Sequence, residues 1–294
     1  MVKRKVVINL SIILILGIVV GISGYYLYQN IKNQIDYNRK FSIYLQYIQD
    51  INELYNLKNG KGVSALKEIN SDFVGWISCK DAGIEMPLVQ AQDESEEYYI
   101  NHNFNRDANY CGVPYVRKEH SLYSNNSTNA TIVGHSMFRF PNGKVQIFSN
   151  LYEYIANAKK INSGDDNSYN FIVNIETEQK VFEYKIFSVF TFNIRKNYDE
   201  QYYIYNSNNL NSSDEFNTFY TTAKNLSVIN SDVTANYGDS FISLFTCSKI
   251  SEDYRVMAVA KLLNWIKRQC CKPQVITRKK KVYLDIYFIC DTIK

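Results

Sequence analysis

The pattern of apolar residues changes twice along the chain. An uncharged apolar run fills residues 6–27, and apolar residues then recur every three or four positions as far as Leu57. From Val63 onward, short apolar runs alternate with polar or glycine-containing stretches. These patterns are typical of a membrane-length helix, of a helix with one apolar face and of β-strands. The sequence therefore predicts an apolar helix, a second helical segment and a strand-rich domain.

The first apolar run is long enough to cross a bilayer. As a helix, residues 6–27 would span about 30 Å. The basic residues Lys3–Lys5 precede it, so the positive-inside rule keeps that end in the cytoplasm. A cleaved signal peptide is the alternative, but its apolar region usually covers only about 7–15 residues. We expect a cytoplasmic tail over residues 1–5, an uncleaved transmembrane anchor over 6–28, and an extracytoplasmic location for the rest.

Residues 29–62 are predicted to form a helical stalk. Its apolar face comprises Tyr44, Tyr47, Ile48, Ile51, Leu54 and Tyr55. The stretch Asn59–Gly62 is a stop signal for the helix. We expect the stalk to pack against the domain that follows it.

The domain beyond the stalk is predicted to be mainly β (α+β), a closed barrel or a sandwich. Many short strands and few long helices favour such a fold over alternating βα units. The expected strands are 75–79, 86–90, 112–116, 130–134, 170–175, 180–192, 240–247 and 254–262. The expected helices are 144–158 and 212–226.

Composition narrows the classes of partner and site. The net charge of +4 is small for 294 residues and the lysines are interspersed with acids, so no nucleic-acid partner is predicted. Six cysteines outside the cell would allow disulfides, but a domain of about 200 residues has a core large enough without them. No Cys-x-x-Cys pair with partner histidines exists, so no metal site is expected. Cys79 and Cys111 are interpreted as small buried residues.

Cys247 and Arg255 stand at the two ends of one short polar loop. The cysteine ends an apolar run and the arginine begins the next, so two paired strands would place them side by side. A nearby guanidinium favours the nucleophilic thiolate and can stabilise an oxyanion in acyl transfer. The alternative is a buried cysteine beside an arginine that pairs with Glu252 or Asp253. The spacing alone leaves both interpretations open.

Three histidines are candidates for the proton transfer that a nucleophile needs. His135 directly follows the predicted strand 130–134, and functional groups commonly lie where strands give way to loops. His102 is expected to hydrogen-bond within the fold, and His120 is expected to be solvated in a charged loop. His135 is therefore the candidate general acid/base.

Taken together, the motifs resemble those of sortases. They are TIVGHSM, IFSNLYEY, and ISLFTC with an arginine eight positions after the cysteine, preceded by GWISCKDAGIEMPLVQ and YCGVPYV. The resemblance is closest to class B sortases and covers a predicted domain at 63–263. It implies a closed eight-stranded sortase-type β-barrel with N-terminal helices and an added helix before the cysteine strand.

The resemblance also implies roles and partners. Cys247 would be the nucleophile, His135 the general acid/base and Arg255 the stabiliser of oxyanion and substrate. The expected enzyme is a cysteine transpeptidase, anchored in the membrane of a Gram-positive cell with its catalytic domain outside. It would cleave the C-terminal sorting signal of a surface protein after Thr, through a thioester. The acceptor would be an amine of the peptidoglycan cross-bridge or of its lipid-linked precursor, and no metal or organic cofactor is implied.

The chain departs from the family pattern near the nucleophile. Phe245 stands where a serine is common, and Ser136 stands where an asparagine often follows the histidine, whereas Thr246 fits the pattern. Phe245 shares a strand face with Cys247, because side chains alternate with a period of two. We expect Phe245, Thr246 and Ser136 to contact the substrate.

Two alternatives to an active sortase remain, and one segment has no assigned role. A membrane-anchored sortase-like protein that binds surface proteins without processing them is one alternative. A papain-type protease is the other, and it is disfavoured because here the histidine precedes the cysteine. Residues 264–294 form a C-terminal extension with two adjacent cysteines and a basic run, either an added strand or a tail, and no function is assigned to it.

Overall fold

A computed structural model describes residues 2–122, 127–136, 147–165, 172–195, 199–248, 250–251 and 253–267. Within these ranges the helices are α1 (Val2–Lys61), α2 (Ser64–Ile69), α3 (Leu151–Ala156), α4 (Ala158–Ser163), α5 (Asp199–Asn206) and α6 (Ser213–Leu226). The strands are β1 (Phe73–Cys79), β2 (Ile84–Val89), β3 (Tyr115–Val116), β4 (Asn129–Val133), β5 (Ile172–Glu176), β6 (Lys180–Asn193), β7 (Phe241–Cys247) and β8 (Tyr254–Lys267).

The apolar run and the stalk form one continuous helix. Helix α1 ends at Lys61, within the predicted stop signal, and Gly62 follows with a φ of 85°. The large apolar side chains between Ile13 and Tyr28 are exposed, whereas Tyr44, Tyr47, Ile51 and Leu54 are buried against the barrel. Among the described residues, this is the one helix that is long and apolar enough to cross a membrane, judged by length and composition only.

The strands form a closed barrel in the order β1-β2-β3-β4-β7-β8-β6-β5. Antiparallel pairing of β1 with β5 closes the barrel, and β4 and β7 are parallel neighbours. The predicted closed eight-stranded barrel is thus confirmed. Strand β3 has only two residues, fewer than the five that the pattern predicts.

Two apolar cores lie on opposite sides of the barrel wall. Inner-face residues of β7 and β8, such as Ile242, Leu244 and Ala258, belong to the main core. Outer-face residues, such as Phe241 and Val259, form a second core with helix α6. Side-chain alternation along each strand therefore distinguishes the inside of the barrel from its helix-covered outer wall.

Helix α6 is the added helix predicted before the cysteine strand. A capping box begins it: Ser212 accepts a hydrogen bond from the Glu215 N–H, and the Glu215 carboxylate accepts one from the Ser212 N–H. Phe216 and Phe219 anchor it to the outer wall. Helix α5 was not predicted. The single helix expected at 144–158 is, over its described part, α3 followed by the start of α4.

Several smaller predictions have clear outcomes. Cys79 and Cys111 are buried, as expected. The prediction that His120 is solvated is wrong: this residue is only 6% exposed and receives a hydrogen bond from the Thr131 N–H. Strand β8 continues to Lys267, past the expected domain end, because it pairs there with the start of β6. Residues 268–294, which make up most of the C-terminal extension, lie outside the described residues.

Candidate active site

His135 and Cys247 follow neighbouring parallel strands at the same end of the barrel. Val133 of β4 pairs with Phe245 of β7, and the Gly134 N–H donates a hydrogen bond to the Phe245 carbonyl at 3.0 Å. His135 and Cys247 each lie two positions beyond that pair. Since neighbouring strands run about 4.8 Å apart, the register brings the backbones of the two residues together.

The Cys247 side chain belongs to the outer face of the wall. On β7, Ile242 and Leu244 point into the barrel core, whereas Phe241 and Phe245 contact the outer core. Cys247 continues the outer series and is partly buried. His135 lies two residues beyond the end of β4, where the hydrogen bond from the Gly134 N–H to the Phe245 carbonyl keeps its segment beside β7. The candidate nucleophile therefore lies on the outer wall of the barrel, with the histidine segment next to its strand.

Arg255 lies on the next strand. It pairs directly with Cys247 across the β7–β8 hairpin. The Ser248 N–H donates to the Tyr254 carbonyl at 2.9 Å, so the adjacent Cys247–Arg255 pair is of the non-hydrogen-bonded kind. In such pairs the Cα atoms approach to about 4.5 Å and the side chains are closest. Cysteine and arginine thus lie side by side on β7 and β8, and the histidine follows the end of the neighbouring β4.

A main-chain carbonyl orients the His135 ring. Its Nε2 lies 2.7 Å from the Ile100 carbonyl oxygen, which can only accept, so Nε2 carries a proton. Burial lowers the pKa of His135, and the hydrogen bond to Ile100 partly opposes that shift. Ile100 belongs to a short 3-10 turn, Tyr98–Ile100, that sequence reasoning did not identify, because a carbonyl acceptor leaves no signature in residue type.

Gly134 lets the histidine segment pack closely. A Cβ at this position would lie 2.7 Å from Cδ2 of the buried Phe148 ring, closer than atoms can approach. The Phe148 N–H donates to the His135 carbonyl at 3.1 Å. The glycine therefore allows this ring to support the backbone of the candidate general acid/base.

The acidic neighbours of Arg255 bear on the alternative that this arginine only pairs with Glu252 or Asp253 and has no role in catalysis. Asp253, one of its two proposed partners, forms an ion pair with Arg195, with Nε and Oδ1 2.7 Å apart. Arg255 Nη1 donates to the Tyr254 carbonyl at 3.0 Å, which holds the guanidinium at the mouth of the hairpin. The other proposed partner, Glu252, lies outside the described residues.

The three expected substrate-contact residues occupy different environments. Phe245 is partly buried on the same outer face as Cys247. Thr246 is 2% exposed on the inner face and its Oγ1 has no hydrogen-bond partner, so its side chain is enclosed by the barrel rather than open to a substrate. Ser136 forms a β-bridge with Ile147, and its Oγ is also buried without a partner.

The side chains of Cys247, His135 and Arg255 can carry out acyl transfer. A thiol supplies the nucleophile, an imidazole can exchange protons with an amine, and a guanidinium can stabilise an oxyanion. Among the described residues, no group of three or more His, Cys, Asp or Glu side chains could bind a metal ion.

The chain is similar to known proteins over most of its length. It is 23% identical over 202 residues to Sortase B of Staphylococcus aureus, covering 68% of this chain and 74% of that protein. It is 24% identical over 271 residues to Sortase B of Listeria monocytogenes, covering 89% and 96%. The X-ray structure of Clostridium perfringens sortase B matches with a TM-score of 0.56 and 25% identity, over 68% of this chain and 99% of that one.

These similarities support the identification of the chain as a class B-like sortase. No family model matches it, so the identification rests on these relatives and on the shared barrel. A sortase is a cysteine transpeptidase, which agrees with a site built around a thiol.

Proposed function

We propose that this sortase cleaves the C-terminal sorting signal of surface proteins after Thr and joins the new carboxyl end to a peptidoglycan amine. Cys247 is the proposed nucleophile, His135 the general acid/base, and Arg255 the group that stabilises the oxyanion. The observation that supports this assignment most directly is the cross-strand pair of Cys247 and Arg255, with His135 just beyond the end of the strand that pairs with β7.

The reaction has two balanced halves. In the first, the Cys247 sulfur attacks the threonine carbonyl carbon, the C–N bond breaks, and the protonated His135 ring gives its proton to the departing amine. In the second, the acceptor amine attacks the thioester carbonyl, the C–S bond breaks, and His135 takes up a proton from the incoming nitrogen. Arg255 stabilises the oxyanion formed in each half.

Related structures support the choice of substrates. A Staphylococcus aureus sortase B forms a complex with substrate, and a sortase B forms a complex with triglycine, a peptide that carries a free amine. By analogy we propose a sorting-signal peptide as acyl donor and an amine of the peptidoglycan cross-bridge, or of its lipid-linked precursor, as acceptor.

We further propose that α1 anchors the enzyme in the cell membrane as a single span. The exposed apolar side chains between Ile13 and Tyr28 need a nonaqueous environment. The basic residues Lys3–Lys5 favour a cytoplasmic N-terminus. The barrel would then face the outside, where both surface proteins and cell-wall amines are found.

The proposal is tested by incubating the purified chain with sorting-signal peptides and an amine acceptor. We expect mass spectrometry to show a thioester on Cys247 and, with acceptor, a new amide product. The Cys247→Ala variant should form neither, whereas Cys79→Ala, which removes a buried thiol from β1, should form both. Absence of cleavage over a broad peptide panel would contradict the proposal. Tight peptide binding without any thioester would instead favour the non-catalytic binding protein.

A further inference from the structure

A buried tyrosine directly precedes the Ile100 carbonyl that accepts from the candidate histidine. The side chain of Tyr99 is fully buried, and its hydroxyl donates to Asp72 Oδ2 at 2.8 Å and accepts from Asn70 Nδ2 at 2.9 Å. Its main-chain carbonyl accepts from the Val113 N–H at 2.9 Å. The side chain and the main chain of Tyr99 are therefore both fixed next to Ile100.

A buried carboxylate connects this tyrosine to an arginine. Asp72 lies directly before β1, is buried, and forms an ion pair with the Arg106 guanidinium. Its Oδ1 accepts from the Gln92 N–H at 3.3 Å, and the Arg106 carbonyl accepts from the Tyr98 hydroxyl at 3.2 Å. A buried carboxylate needs such partners because it has lost its water, and a polar network that is fully satisfied holds a single arrangement. The network therefore ties the turn at residues 98–100 to the start of β1.

A glycine lies against the same turn. Gly112 has a φ of 61°, and a Cβ there would lie 2.6 Å from the carbonyl oxygens of both Tyr99 and Ile100. This close packing of backbone on backbone limits the directions that the Ile100 carbonyl can take. The carbonyl is thus confined where it lies, 2.7 Å from Nε2 of His135.

We propose that three side chains, called here the Asp72 network, position the general acid/base. The members are Asp72, Tyr99 and Arg106, and they act by holding the Ile100 carbonyl where it accepts the Nε2 proton of His135. This inference rests on the proposed function, in which His135 transfers protons, and deepens it. A neutral ring whose Nε2–H is bound in this way has its lone pair on Nδ1, so Nδ1 is the nitrogen that exchanges a proton with the amines.

The test removes one hydroxyl from the network and the same group from a remote place. Tyr99→Phe keeps the buried ring but loses the hydroxyl. Tyr184→Phe is the matched control, because Tyr184 is also fully buried and its hydroxyl donates to the Leu122 carbonyl at 2.9 Å. Tyr184 pairs with Leu262, which lies about 23 Å along β8 from Arg255. Thermal melts establish that both variants are folded.

Two measurements are made on the full-length chain in detergent. With isotope-labelled histidine, NMR follows exchange of the His135 Nε2–H with water, and the signal is assigned by its absence in His135→Gln. Tyr99→Phe should speed this exchange about tenfold, which corresponds to the net free energy of one hydrogen bond. It should also lower kcat for acylation by about 10–100-fold with little change in KM, because a misplaced group slows the reaction without weakening binding. Tyr184→Phe should leave both quantities unchanged.

A second pair of variants covers the case in which Tyr99→Phe does not fold. Arg106→Lys keeps a cation for the carboxylate and should retain most of the activity, whereas Arg106→Gln should show the faster exchange and the lower kcat. Unchanged exchange and kcat in folded Tyr99→Phe or in Arg106→Gln, or equal losses in Tyr184→Phe, would overturn this inference. If no peptide acylates Cys247, the proposed function fails, while the exchange rates of the Nε2–H still decide whether the Asp72 network holds the ring.

Discussion

Cys247 and Arg255 face each other as a non-hydrogen-bonded pair at the open end of the β7–β8 hairpin. The strand register places a guanidinium beside a thiol without relying on a flexible loop. Side chains in such pairs are in direct reach of each other, so the arginine can interact with charge that develops on an acyl group at the sulfur.

The first prediction concerns the shape of this guanidinium. Arg255→Ala should lower kcat for transpeptidation by about 10²–10³-fold, the usual cost of losing one oxyanion donor. Arg255→Lys keeps the charge but loses the planar donor geometry, and it should recover only part of the activity. Steady-state kinetics with a fluorogenic sorting-signal peptide measure both variants.

Arg195→Lys is the matched control for these variants. Arg195 is an exposed arginine close to the same hairpin, but it forms an ion pair with Asp253. Its replacement should change kcat less than twofold. A lysine retains part of the ion pair, and a whole surface ion pair contributes only about 0.2–1 kcal/mol. Full activity of Arg255→Ala would exclude an oxyanion role.

The second prediction concerns the titration of His135. Burial lowers the pKa of this ring below the ordinary value of about 6.5, so most of it is neutral at pH 7. The neutral form can accept a proton from the acceptor amine, and only the minor protonated form can donate one to the leaving group. NMR titration should show a His135 midpoint below about 6.5, assigned by its absence in His135→Gln. A midpoint above that value would contradict the conclusion that burial lowers the pKa of His135.

The third prediction links His120 to stability. Burial, aided by the charge of Arg117, lowers the pKa of His120 to about 4. The unfolded chain takes up this proton near pH 6.5 and the folded chain only near pH 4, so the free energy of unfolding should fall as pH falls between these values. The slope from this one group is at most about 1.4 kcal/mol per pH unit.

Urea unfolding at several pH values between 7 and 4 measures this slope. His120→Gln should reduce it, since a glutamine oxygen can still accept from the Thr131 N–H but does not titrate. His135→Gln is measured alongside, because the lowered pKa of His135 contributes to the slope in the same direction and must be separated from that of His120. An unchanged slope in His120→Gln would show that this buried ring does not cause the pH dependence of the free energy of unfolding.

Much of the barrel could be predicted from local pattern. Strands β4, β6 and β7 each bury one or both faces, and their apolar runs mark them within a residue or two of their observed ends. The capping box at Ser212 likewise identifies α6. Strand β3 was predicted too long, because only two of its residues find a partner in the sheet.

Features that depend on tertiary contact were not predictable. His120 lies among charged residues along the chain, yet the fold buries it against the backbone of β4. The carbonyl of Ile100 reaches His135 from 35 positions earlier in the chain. Chemical type identified the histidine, cysteine and arginine as candidates, whereas the orientation of the imidazole depends on backbone atoms that carry no sequence signal.

The fourth prediction concerns the space beside His135. Gly134→Ala would place a methyl group 2.7 Å from the Phe148 ring, and overpacking of this kind costs about 1–3 kcal/mol. Because Phe148 also supports the His135 backbone, the rate of acylation should fall as well. Gly60→Ala is the control: no atom lies within 4 Å of the added Cβ in α1, and the change should stabilise the helix by roughly 1 kcal/mol. A fully active, fully stable Gly134→Ala would disprove this packing argument.

The last prediction concerns the exposed part of α1 between the apolar segment and the barrel. The helix continues without a break from Tyr28 to the buried Tyr44, a rise of about 24 Å. Side chains four residues apart support it there: Gln34 donates to Asn38 at 3.1 Å, and the Tyr37 ring stacks on Phe41. In the proposed membrane-anchored enzyme, this continuous helix should hold the barrel at a set height above the bilayer.

Insertions after Ile35 test whether the height of the barrel above the bilayer affects the rate of cleavage. A flexible Gly-Ser insertion would uncouple the barrel from the anchor, whereas seven alanine-rich helical residues would raise it by about 10 Å and keep it rigid. With a soluble peptide, both variants should react as the unmodified chain does. With a membrane-tethered sorting signal in the same vesicles, the rigid insertion should slow cleavage more than the flexible one, because it moves the site away from the bilayer. Equal rates for all three chains on the tethered substrate would show that the helix does not set the reach of the site.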